Sequence, residues 1–321
     1  MKKFIAGLCT FGLMVALYSS NYVMAYQKGD EVRPVRSFDK ETAHIDDLEA
    51  ALDKMYDEEV KKKNEEIKEH VEKARLQKVS KTEIKEEVAE IEKKYKEIKK
   101  QRVKEIEEEM GWERLPIERE PEIGTQSKST DLKLIDEHFS RYSKTGEFKY
   151  YAEWDWDNNG WDFLGDTVDL VSVRSLDGVN TTRSYAHTWQ YIIWDNGATE
   201  EYRSGYDNNG TTEGFGISKR DETYYGVVWN VEDNGYTACQ GGMCREVYDT
   251  DTVIVSTYFK PKSSSFTTKF FTDFEHNYKT NSLSGSASIN FVDLKATSLN
   301  VSYNQVNKNY KRTSRGLDFK P

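Results

Sequence analysis

Residues 153–166 read EWDWDNNGWDFLGD, and this stretch is the most informative part of the chain. It holds three tryptophans, four aspartates and a turn-forming Asn-Asn-Gly. The residues before the turn alternate with a period of two, which predicts a strand over 149–157. Its two faces would carry Tyr150, Ala152, Trp154 and Trp156 on one side, and Tyr151, Glu153, Asp155 and Asp157 on the other. Because Asp-Asn-Asn-Gly tolerates positive φ, the stretch predicts a β-hairpin.

The same residues also resemble the calcium-binding loops of EF-hand and dockerin-type proteins. Positions 1, 3, 5, 7 and 12 of such a loop would be Asp155, Asp157, Asn159, Trp161 and Asp166, with Gly160 at the sharp turn. Three features depart from the pattern: Asp166 is shorter than the usual Glu, position 8 is the charged Asp162, and the flanks have strand-like sequences. The resemblance implies a calcium site, and a hairpin turn is the alternative. The two do not exclude each other.

The chain after residue 149 is rich in aromatic and β-branched residues and repeats the same turn chemistry. The further turns are Asp195-Asn196-Gly197, Asp207-Asn208-Asn209-Gly210 and Asp233-Asn234-Gly235. Strands are predicted at 149–157, 167–174, 186–194, 223–231, 252–259, 266–278, 283–292 and 297–304. Short strands without intervening helices predict an antiparallel all-β, sandwich-like domain over 129–321. A short amphipathic helix with Leu132, Ile135 and Phe139 on its inner face would open it, and Lys311, Arg312 and Arg315 would form a frayed basic end.

Residues 35–110 contain neither Gly nor Pro and are dominated by charged residues, which predicts helix. Ser80 and Glu83 form a capping box, so two helices are expected, at about 39–78 and 81–111. An antiparallel helical hairpin is the preferred arrangement over 39–111, and a dimerising coiled coil or a lone charged helix are the alternatives. With a linker at 112–128, the expected fold class is α+β multidomain.

The first 25 residues have the pattern of a secretory signal. Lys2 and Lys3 precede an apolar run, and small residues ending at Ala25 form the cleavage site. A flexible segment over 26–38 would follow. Export to an oxidising compartment predicts a disulfide between Cys239 and Cys244, the two cysteines left after cleavage.

Composition and motifs exclude several classes of function. The net charge of −10 argues against a nucleic-acid partner, because phosphate binding requires concentrated Lys and Arg. The chain has no G-x-S-x-G elbow, H-E-x-x-H, P-loop or dinucleotide fingerprint. Its layout resembles that of secreted cell-wall peptidases of the Cys/His type, but neither Cys239 nor Cys244 has their motif. We therefore expect a protein without catalysis.

Three functions remain as hypotheses. The first is an exported bacterial binding or surface-interaction protein, in which Trp154, Trp156 and Trp161 form a face for glycans or cell-wall polymers. It includes calcium as the cofactor, a glycan or cell-surface partner, and a homo-oligomer through the coiled coil. The second is a secreted β-rich pore former that uses the Ser/Thr-rich alternating segments 283–292 and 297–304. The third is a glycan hydrolase that uses the cluster Asp155, Asp157 and Asp162.

Overall fold

The computed structural model describes residues 41–116, 132–156, 167–214, 216–233, 235–240, 243–277, 287–290, 300–303 and 310–321. Residues Asp39–Pro321 form one compact unit. Within the described ranges the architecture is two helices followed by antiparallel β-sheets, as the sequence predicts for an α+β chain.

Two helices, α1 (Ala43–Leu76) and α2 (Lys81–Glu109), form an antiparallel helical hairpin. Ser80 is the N-cap of α2 as expected, because its hydroxyl accepts a hydrogen bond from the Glu83 backbone N–H. Contacts between the helices run in opposite order: His70 bonds to Glu87 and Lys94 to Glu66. Neither helix in the described ranges combines the length and apolarity needed to cross a bilayer.

The strands are numbered in chain order. They are β1 (Trp112–Arg114), β2 (Leu132–Tyr142), β3 (Phe148–Trp156), β4 (Thr167–Ser175), β5 (Asn180–Trp194), β6 (Thr199–Asn208), β7 (Thr211–Gly214), β8 (Ile217–Thr223), β9 (Gly226–Asp233), β10 (Gly235–Gln240), β11 (Met243–Lys260), β12 (Thr268–Asn277), β13 (Ala287–Asn290), β14 (Asn300–Tyr303) and β15 (Tyr310–Phe319). Sheet A has the order β1-β2-β3-β11-β5-β6-β7, with β10 paired to β11. Sheet B has the order β15-β12-β4-β9-β8, and β13 pairs with β14 apart from both.

The two large sheets share one hydrophobic core. Trp154 and Tyr150 of sheet A pack with Trp229, Phe270 and Phe274 of sheet B. The Trp154 indole N–H donates to the Thr272 hydroxyl at 3.0 Å, which satisfies its one polar atom inside this core. The alternation predicted for β3 is therefore correct, since Tyr150, Ala152, Trp154 and Trp156 all lie in the shared core.

The helical hairpin packs against the opposite face of sheet A. Leu48, Leu52 and Tyr56 of α1 contact an aromatic set on the strands and on the residues around them. That set is Trp112, Tyr142, Tyr151, Tyr185, Trp189, Tyr206 and Tyr258. Apolar residues of the helical hairpin therefore cover this face of sheet A.

Two elements differ from the sequence prediction. Residues expected to form a short helix are strand β2, which pairs with β3, so that prediction is wrong. The prediction of a frayed basic end is also wrong, because Tyr310–Phe319 pairs along its whole length with β12. In addition, Trp112–Arg114, at the start of the predicted linker, pairs with β2.

The repeated turns behave as predicted where they are described. Gly197 closes the β5–β6 turn with φ 89°, and its N–H donates to the Trp194 carbonyl. In the β6–β7 turn, Asn209 and Gly210 have φ values of 49° and 95°. Positive φ at these positions explains the use of Asn and Gly.

Candidate functional site

The surface between the helical hairpin and sheet A, called here the hairpin–sheet interface, contains many buried charged residues. On the helices these include Glu49, Glu59, Lys63 and Glu107, and on the sheet His138, Lys149, Glu153, Asp155, His187, Glu201 and Asp251. A charged side chain is costly to bury unless it is paired with an opposite charge. The partner of each buried charge therefore shows what stabilises it in the interface. Two groups of them can be distinguished, one centred on Glu107 and one around a small cavity.

The first group surrounds Glu107, which has no exposed surface. Its carboxylate accepts from Arg114 Nε at 2.8 Å, His138 Nε2 at 3.0 Å and Lys149 Nζ at 3.2 Å. Burial alone would raise the pKa of Glu107, but His138 and Lys149 outweigh burial and lower it. Burial likewise would lower the pKa of His138, yet Glu107 and Asp136 raise it. These neighbours therefore favour an ionised Glu107 carboxylate beside a protonated His138 imidazole.

A second buried histidine extends this group along the sheet. His187 lies 3.5 Å from both a Glu49 and an Asp53 carboxylate oxygen of α1. Glu49 also accepts a hydrogen bond from the Tyr258 hydroxyl, and Asp53 is paired with Arg203. Glu49 and Asp53 of α1 thus each contact sheet residues that are far away in the sequence.

The second group surrounds a cavity of about 40 Å³ between both helices and sheet A. Three lysines line it, and each is paired with a sheet carboxylate: Lys63 with Glu201, Lys96 with Asp155 and Lys99 with Glu153. The cavity volume is enough for on the order of two or three water molecules.

Asp251 also lines this cavity and differs from its neighbours. It is 6% exposed, and its Oδ1 atom is buried without a hydrogen-bond partner among the described residues. Burial, followed by the negative charges of Asp155 and Glu201, raises the pKa of Asp251 well above its ordinary value. The cavity therefore favours a neutral, protonated Asp251.

The residues predicted to bind calcium are only partly described. Asp155 is buried on β3, pairs with Lys96 and accepts from the Thr252 hydroxyl at 3.3 Å. Asp157, Asn159, Trp161 and Asp166 lie outside the described residues. In the ranges that are described, no group of three or more His, Cys, Asp or Glu is arranged to hold a metal ion. Calcium binding stays a prediction.

The tryptophans predicted to bind a ligand lie inside the protein where they are described. Trp154 is fully buried and Trp156 is 6% exposed, and both pack against Phe274 of sheet B. These two rings fill the core and do not form an exposed platform. Trp161 lies outside the described residues, as does Asp162 of the proposed hydrolase cluster.

The structure pairs Cys239 with Cys244, as the sequence predicts. The bond closes the turn between β10 and β11, where the two cysteines are directly opposite each other. Asp195 is hydrogen-bonded to this turn, since its carboxylate accepts from the Cys244 backbone N–H at 2.7 Å. The disulfide is thus a local structural link.

The buried ion pairs of the hairpin–sheet interface were missed by the sequence reasoning. A signal was present, because the predicted outer face of β3 carries Glu153 and Asp155, and α2 carries Lys96 and Lys99 one turn apart. Charge complementarity between a strand face and a helix face could have suggested that they pack together.

A scan of the chain against protein-family models and a search of the curated proteins each returned no match.

Proposed function

We propose that this chain is an exported pore-forming protein whose membrane-active segment is residues 278–309. The observation that carries the proposal is the arrangement of the strands around this segment. Strands β12 and β15 pair with each other from Thr268↔Phe319 to Asn277↔Tyr310. The chain therefore leaves sheet B along β12, makes a 32-residue excursion, and returns along the edge of the same sheet.

Within this excursion the described strands pair residues of like polarity. Ala287 is opposite Tyr303 and Ile289 is opposite Val301, while Ser288 is opposite Ser302 and Asn290 is opposite Asn300. Neighbouring residues of a strand belong to opposite faces of the sheet. This register therefore assigns apolar residues to one face of the β13–β14 pair and small polar residues to the other. That two-faced pattern suits strands between lipid and water.

The distribution of charge supports the same assignment. Residues 280–292 and 296–307 contain no charged residue, although 32% of the whole chain is charged. A strand needs about 9–11 residues to cross the hydrocarbon core, and both uncharged segments are longer than that. Between them lie Asp293 and Lys295, in the part of the chain that connects β13 to β14. Charges there would lie at the far membrane surface after insertion.

The binding hypothesis has less support from the described residues. Five of the six described tryptophans are buried: Trp112, Trp154, Trp156, Trp189 and Trp229. Trp194 is half-buried under the Arg245 guanidinium, 5.3 Å from its ring centre. A flat exposed aromatic face for a polysaccharide is therefore not formed by these six. We further infer that the two large sheets form a sandwich-like body from which the excursion is released.

The test is leakage of a dye from liposomes exposed to the full chain, with two neighbouring substitutions. Ile289→Lys places a charge on the face assigned to lipid, at a cost of about 2–4 kcal/mol near the bilayer centre, so leakage should fall at least tenfold. Ser288→Lys is the matched control on the opposite face, and it should preserve leakage while changing ion selectivity.

Absence of leakage by the unsubstituted chain would refute the proposal. Equal loss of leakage in Ile289→Lys and Ser288→Lys would also refute it, because the two faces would then be equivalent. Far-ultraviolet circular dichroism of each variant checks that the substitutions leave the folded body intact.

A further inference from the structure

Asp251 lies where charged side chains of α1, α2 and sheet A come together. It belongs to β11, and its cavity is lined by groups from both helices and from neighbouring strands. Those facing it are Glu59 and Lys63 from α1, Glu92, Tyr95, Lys96 and Lys99 from α2, Tyr191 from β5, and Glu201 from β6. Asp155 of β3 acts on it electrostatically.

The cations around the cavity are already engaged. Lys63, Lys96 and Lys99 each pair with a carboxylate other than Asp251. A negative charge on Asp251 would therefore add to a region whose lysines are already neutralised. Its Oδ1 atom is buried with no hydrogen-bond partner in the described part of the chain, so no hydrogen bond there replaces the lost hydration of that atom.

We propose that Asp251 makes the hairpin–sheet interface pH-sensitive: the helices dock while this carboxyl holds a proton and separate from sheet A when it is lost. Opening would hydrate Asp251 and give its charge access to water. It would also uncover the aromatic outer face of sheet A, including Tyr151, Trp189 and Tyr258. This inference does not depend on the pore-forming proposal, because it concerns the helices and sheet A, whereas the strands that flank the proposed pore-forming segment belong to sheet B.

Between pH 5 and 6, three other charged groups of the interface, Glu107, Glu201 and His138, keep nearly the same protonation state whether the interface is open or closed. The pKa values of Glu107 and Glu201 are lowered by their cationic neighbours, so both are ionised in this range whether the interface is open or closed. The pKa of His138 is raised from 6.5 when the interface is closed, so His138 is mostly protonated in both states over this range. Asp251 differs, because its ordinary pKa of 3.8 applies only when the interface is open.

The experiment is amide hydrogen exchange of the full chain at pH 5 and pH 6, corrected for intrinsic rates and read by mass spectrometry. Amides in peptides from 43–76 and 81–109 should exchange up to tenfold faster at pH 6 after this correction. The reason is that the loss of one proton changes the opening equilibrium by tenfold per pH unit. Peptides from 168–175 and 268–277 of sheet B should not change. Asp251→Asn should remove the pH dependence, and Asp221→Asn, an exposed carboxyl on β8, should leave it intact.

Equal opening of the helices at pH 5 and 6, or an unchanged pH dependence in Asp251→Asn, would overturn the proposal. Parallel opening of sheet B would also overturn it, since the event would then be global unfolding. Should Asp251→Asn fail to fold, infrared difference spectra of the native chain provide a second measurement. A buried protonated carboxyl should persist at pH 6, and its absence would contradict the proposal.

Discussion

Replacing Glu107 by Gln is the sharpest test of the idea that buried ion pairs hold the helices on sheet A. The side chain keeps its shape and loses its charge, while Arg114, His138 and Lys149 remain around it within 3.2 Å. Removing one partner of a buried ionic group typically costs about 3–5 kcal/mol, because the remaining charge is buried without compensation.

The local geometry places the expected loss at the lower end of that range. Asp136 still lies 3.3 Å from His138 Nδ1, and Glu49 lies 3.9 Å from Lys149 Nζ. Asp136 also lies 3.7 Å from Arg114 Nη1, so all three cations keep a second carboxylate. We expect the free energy of unfolding to fall by about 3 kcal/mol, which is a large fraction of the stability of a typical domain.

The assay is urea unfolding at pH 7, followed by circular dichroism. The matched control is Glu105→Gln on the same helix, where an exposed carboxylate pairs with Arg102 at 2.9 Å. Surface pairs contribute little, so this variant should unfold at the midpoint of the native chain. If Glu107→Gln shifts the midpoint no further than Glu105→Gln does, the ion pairs do not hold the interface as argued.

Three further predictions concern pH, the core and the disulfide. Protonated His138 stabilises the folded state fully below its ordinary pKa of 6.5, and this stabilisation is lost as pH rises through the raised pKa of the folded state. Ionised Glu107 has the opposite dependence, because its stabilisation is lost as pH falls below its ordinary pKa of 4.5. Thermal melts from pH 3 to 9 should therefore show a maximum between these limits, and a monotonic curve would contradict this. Trp154→Ala should cost about 3–5 kcal/mol in urea unfolding, since it empties a fully buried site between the sheets, and a loss below 1 kcal/mol would place the ring outside the core. Replacing Cys239 and Cys244 by Ser should cost at most about 2 kcal/mol, because the closed loop is short; a larger loss in the same assay would show that the bond does more than close one turn.

Strand β3 and the helical hairpin are where local sequence was sufficient. The period-two pattern predicted correctly that Trp154 lies on one face and Asp155 on the other, because adjacent side chains in a strand must alternate. Ser80 marked the start of α2 correctly, because an N-cap hydrogen bond involves only neighbouring residues.

Strand β2 shows why other elements were misread. Leu132, Ile135 and Phe139 are spaced as on a helix, but β2 has a register shift against β3 between Leu134 and Asp136. Such an irregularity inserts a residue and breaks the period of two, so the strand pattern is hidden. Pairing with β3 supplies the hydrogen bonds that overrule the local spacing.

The sequence by itself determined the two helices, the Asn-Gly turns, the disulfide and the two faces of β3, because each follows from interactions between residues close in the chain. Only the tertiary structure decided which surfaces meet. Lys63 and Glu201 are 138 positions apart, and Glu49 and Tyr258 are 209 apart. For such distant pairs the single sequence offers at most charge complementarity between two faces, so which buried charges pair across the hairpin–sheet interface becomes visible only when the chain is folded.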